Sequence, residues 1–109
     1  MNTVQILKEA RALIADEKNW TQDSFARNSV GESVEPADEE AVCFCAIGAL
    51  AKAAGANPEG ELPAENLLVS EMLEWDARDS IPDFNDNHTH AEVLTLFDRA
   101  IARAESEAA

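Results

Sequence analysis

The stretch from Ala41 to Ala54 carries a single charge, Lys52. A segment apolar on every side has no face for solvent, so it belongs in the middle of whatever this chain folds into. Pro36, Asp38, Glu39 and Glu40 precede it in the order expected of a helix entry, where the positive end favours acids. Gly55 follows as a stop. The pattern predicts a central helix over 38–54. Gly48 costs such a helix about 1 kcal/mol of propensity relative to Ala. A close crossing by another helix, over the small-residue face of Ala41, Cys45, Gly48, Ala49 and Lys52, is the expected compensation.

Three further helices are expected around it. Asn2 and Gln5 form a capping pair ahead of Ile6, Leu7, Ala10, Leu13 and Ile14, which share one face and predict a helix over 3–18. Pro63 stands at a first helical position, and Leu68, Met72 and Trp75 make the core side of a helix over 63–78. Glu65, Glu71, Glu74 and Asp76 should face water there, and Pro82 disfavours helix at Ile81. Thr89 and Glu92 are a capping box for a helix over 89–104, with Val93, Phe97, Ala100, Ile101 and Ala104 as its stripe. Asn28 and Gly31 interrupt a short alternating segment, so a minor β-hairpin is expected near residues 24–35. Trp20 should pack against the bundle. The expectation is an all-α, compact four-helix domain spanning 1–109, large enough to hide about two-thirds of its unfolded surface.

Net charge is −14, and its placement is uneven. Between residues 29 and 98, sixteen acids meet only Lys52 and Arg78. Direct binding to DNA or RNA is disfavoured, because phosphate contacts need Lys and Arg. A protein partner with a basic surface fits, with Glu71, Glu74, Asp76 and Asp79 as candidate binding residues. A solvated surface that keeps the protein soluble is the plain alternative. No apolar run approaches the ~20 residues of a membrane helix. The opening MNTVQILKEARALIADE has no apolar signal core, and Cys43 and Cys45 do not form a disulfide framework. The chain therefore reads as cytoplasmic.

Two constellations carry possible chemistry. Cys45, His90 and either Asn85 or Asp86 have the residue types of a thiol hydrolase, namely nucleophile, base and orienter. Asp86, His88 and His90 have the donor types of a transition-metal site. Asp83, Asn85 and Asn87 match the start of a calcium loop, but His88 and Leu94 stand where Gly and Glu are needed. No Gly-rich phosphate loop, nucleophile elbow or Cys-x-x-Cys pair occurs, and no cofactor is implied.

Trp20-Thr21-Gln22, Cys45-Ala46-Ile47-Gly48-Ala49-Leu50, Asn85-Asp86 and Thr89-His90-Ala91-Glu92-Val93-Leu94 together resemble a family of short, uncharacterised bacterial and phage proteins. The resemblance runs over about residues 4–102, with Cys43 and Phe44 departing from its common pattern. It implies a helical fold and a bacterial or phage setting, and supplies no reaction. The resulting expectation is a macromolecular-interaction module, in one form an inhibitor of a host nucleic-acid-binding protein. A small thiol- or metal-dependent hydrolase built on Cys45, Asn85, Asp86 and His90 is the alternative.

Overall fold

The computed structural model describes residues 2–76 and 80–108. Helix α1 (Thr3–Leu13) opens with the expected box: Asn2 Oδ1 accepts from Gln5 N at 2.9 Å and Gln5 Oε1 accepts from Asn2 N at 3.1 Å. It ends five residues short of the expected stop. The Asp16 carboxylate takes the Lys18 N–H and starts a separate 3₁₀ turn, Glu17–Asn19. Short acidic side chains compete for local backbone in this way.

The central segment departs most from expectation. Strand β1 (Ala26–Arg27) pairs antiparallel with strand β2 (Cys43–Phe44), in the register Ala26 to Phe44 and Arg27 to Cys43. Residues 38–45 are therefore not helical. Asp38 Oδ1 accepts from Glu40 N at 2.8 Å in a local turn, while Val42 N and Cys45 N donate to the carbonyls of Arg27 and Phe25. β-branched and aromatic residues such as Val42 and Phe44 suit that extended pairing. The expected hairpin across 24–35 is reduced to an Arg27–Ser33 bridge on the other side of β1, turning through Gly31.

Helix α2 (Ala46–Ala54) then begins with Cys45 as its cap and ends at Gly55 in the left-handed region, φ 65°. Its first six residues are all buried, as a helix apolar on every side requires. Gly48 does mark a close approach, but not by a helix. A Cβ there would collide with the carbonyl oxygen of Phe25, just ahead of β1.

Helix α3 (Glu65–Trp75) starts after Ala64, so Pro63 lies outside it. Leu68 and Met72 are buried as expected, but so is Glu71, which was expected to face water. Its carboxylate lies 2.7 Å from Arg103 Nε. Helix α4 (Ile81–Asn87) forms where Pro82 was expected to disfavour helix at Ile81; Ser80 caps it, Pro82 falls in its first turn, and Ile81 and Phe84 are fully buried. Helix α5 (His90–Ala108) has the expected capping box, Glu92 N to Thr89 Oγ1 at 3.2 Å and Thr89 N to Glu92 Oε1 at 2.9 Å. The chain is thus mostly helical, with five helices among the described residues and one two-stranded sheet. Helix α1 packs on α2 and α5, α3 on α5, and α4 on α2. Leu7, Ile14, Leu50, Leu68, Phe84 and Phe97 fill the space between them.

Candidate functional site

Asn85 is fully buried on α4, opposite the first turn of α2. Its Oδ1 accepts from the Trp20 indole N–H at 2.8 Å and from Ala46 N at 3.0 Å. Its Nδ2 donates to Thr21 O at 3.0 Å and to Asp86 Oδ1 at 3.2 Å. Both lone pairs and both protons are used, and indole and backbone N–H can only donate, so the amide has one orientation. Gln22 Nε2 extends the clasp by donating to the carbonyls of Asn85 and His88. Trp20 is therefore more than packing. A buried indole N–H requires an acceptor, the one sequence signal that pointed to this pairing.

Beside the clasp lies an open cleft of about 440 Å³ lined by Asp23, Ser24, Phe25, Cys45, Pro82 and Asp86. Asp86 Oδ1 accepts from Asp23 N at 2.9 Å and holds Asp23 at φ 66°. Cys45 was expected two turns inside a helix and is instead the N-cap of α2, its Sγ accepting from Gly48 N at 3.3 Å. Burial pushes the thiol up to about 11, and the Asp86 carboxylate adds to the rise against the lowering effect of the Gly48 and Ile47 N–H groups. The thiol is neutral at pH 7, whereas nucleophilic chemistry needs the thiolate.

Cys45, Asn85 and Asp86 are thus brought together, and His90 is not. His90 is half-buried, and its Nε2 donates to Ile14 O at 2.6 Å, closing the end of α1, with the ring 5.5 Å from that of Trp20. His88 stacks on Phe84 at 3.7 Å, with Nδ1 2.9 Å from Phe84 O and Nε2 3.1 Å from Asp76 Oδ2. Asp86, His88 and His90 turn to three separate partners. Among the described residues, no three His, Cys, Asp or Glu side chains converge as a metal site. Cys45 Sγ bonds Gly48 N while His88 and His90 turn to Phe84 O and Ile14 O, so the nucleophile and base of a thiol hydrolase are not hydrogen-bonded to each other.

The expected acidic binding residues also have internal work. Glu71 and Glu74 hold Arg103, with Nη2 3.2 Å from Glu74 Oε1, and Asp76 meets His88. Asp79 lies outside the described residues. Glu32, Glu35, Asp38, Glu39, Glu40, Glu59, Glu61 and Glu65 make no ion pair among the described residues. All are exposed except the half-buried Glu65.

This geometry defines a small, mainly helical protein fastened at one polar clasp, with an acidic cleft beside it. The chain belongs to DUF6197, a family of unknown function whose model matches residues 1–103. No match was found among curated proteins or among solved structures. No helix of the described residues is long and apolar enough to cross a membrane.

Proposed function

We propose that this chain is a macromolecular-interaction module whose partner is a protein with a basic surface. The observation that carries the reading is the split, among the described residues, between acids held in ion pairs and acids outside them. Lys8, Arg11 and Arg103 are taken up by Glu105, Asp98 and the Glu71–Glu74 pair. Eight carboxylates between residues 32 and 65 are left with Lys52 as the sole base in that stretch. Like charges gathered this way repel and disfavour the compact state, and a basic partner relieves that repulsion. In a phage or mobile-element setting, the carboxylates would stand in for phosphate charge on a host nucleic-acid-binding protein.

The test is capture by the immobilised chain from a bacterial lysate, with mass-spectrometric identification. The expected result is a basic protein whose retention falls with added salt, and falls again when Glu39, Glu40 and Glu61 are reversed to Lys. Retention indifferent to both changes would remove the reading.

A further inference from the structure

We infer that the partner is held as an extended, Lys- or Arg-bearing segment lying in a groove from Pro82 and Asp86, past Phe25, to Pro36 and Pro58; this rests on the interaction reading above. Three clefts adjoin. The one beside the clasp, about 440 Å³, shares Ser24 and Phe25 with a second of about 380 Å³. The second shares Glu35 with a third of about 410 Å³ that continues over Pro36, Ala51 and Pro58. Phe25, Val34, Pro36 and Pro82 supply apolar walls and Asp23, Asp86, Asp38 and Glu35 supply carboxylates, while Lys52 lines the far cleft, so the cationic side chains belong in the first two clefts. None of these four acids is in an ion pair among the described residues.

That combination suits Lys and Arg, whose methylene stems lie on apolar surface while their heads seek carboxylate. Asp86 uses only Oδ1 for internal bonds, which leaves Oδ2 as an acceptor for such a head. Pockets in a row match an extended chain, which sends alternate side chains to one side. The acidic walls repel nucleic acid and phosphorylated segments, and a second copy of a chain carrying −14 is repelled likewise.

The probe is a fluorescent peptide of about twelve residues alternating Lys and Val, titrated against the full chain and followed by anisotropy. Glu35→Gln, Asp38→Asn and Asp86→Asn together remove groove charge while keeping the oxygen acceptors used internally. Glu9→Gln, Glu17→Gln and Glu107→Gln, exposed residues outside both the groove and the 32–65 stretch, make the same charge change. The groove variant should bind about tenfold more weakly, and the control should change less than about twofold. In the wild type, peptide should shift the backbone amides of Ser24, Val34 and Asp86, a readout that needs no variant to fold. Equal loss in both variants would overturn the groove and leave the interaction reading intact. Tight binding of folded hen lysozyme without binding of the peptide would do the same. Failure of both probes would remove both readings.

Discussion

The Ala46 N–H donates to Asn85 Oδ1 across 3.0 Å, so a side chain on α4 completes the first turn of α2. A helix leaves its first N–H groups without partners of its own, and here a residue 39 positions away serves one of them. Replacing Asn85 by Ala strands the Trp20 indole, Ala46 N and Thr21 O together. Buried groups without partners cost about 1–3 kcal/mol each, so roughly 3 kcal/mol or more should be lost. Urea unfolding measures this, and a loss under about 1 kcal/mol would show that water replaces the amide.

Gly48 and Gly55 should respond differently to the same substitution. Gly48→Ala drives a methyl into the Phe25 carbonyl, and main chain cannot step aside as a flexible side chain would. Gly55→Ala meets nothing in space but must hold φ 65°. We expect about 3 kcal/mol for Gly48→Ala, at the upper end for overpacking, and about 1 kcal/mol for Gly55→Ala. Without the clash, Ala at helical Gly48 would gain helix propensity, so a Gly48→Ala variant melting no lower than wild type would contradict the close approach.

Alkaline pH tests the Cys45 environment. An unfolded thiol loses its proton near 9.0, whereas folded Cys45 keeps it to about 11. The unfolded state therefore releases the proton first, and stability present below pH 9 should fall as pH rises from about 9 to about 11. Cys45→Ser keeps an N-cap oxygen for Gly48 N and removes the titration. Its stability, relative to wild type, should therefore improve across that window. Identical alkaline slopes in the two proteins would contradict a thiol held neutral by burial.

Glu71 and Arg103 should prove mutually dependent. Arg103→Met leaves the buried Glu71 carboxylate without its guanidinium and should lower the melting temperature. Adding Glu71→Gln should recover part of the loss, because the uncompensated charge is gone. Additive effects in this double-mutant cycle would mean that the two groups do not interact.

What was legible in the sequence is what is local. The Asn2–Gln5 and Thr89–Glu92 boxes, and the apolar stripes of α1 and α5, depend on spacings of three or four residues. The strand at Cys43–Phe44 depends on Ala26 and Arg27, distant partners that override the helix-like composition of 38–45. Helix α4 was hidden for a similar reason. Asn, Asp and Pro favour turns on their own, and the segment is helical because Ile81, Phe84 and Asn85 are buried against the rest. Cys45, His90 and either Asn85 or Asp86 could meet if α2 lay against the start of the last helix; His90 instead closes the end of α1, and only Cys45, Asn85 and Asp86 are together. They meet through the unexpected α4 instead, with Cys45 at a helix end rather than inside one.

The Asn85 clasp also orders events in time. Its bonds to Trp20, Thr21, Gln22 and Ala46 span 39 to 65 residues of chain. Loops of that length must close before the clasp returns any stabilisation, which makes it a late step of folding. During synthesis from the N-terminus, α2 emerges from the ribosome before Asn85 does. Until α4 arrives, the most apolar helix of the chain has an unfinished first turn and is covered by α1 on one side only, so that interval is when the nascent protein is most open to chaperones and to aggregation.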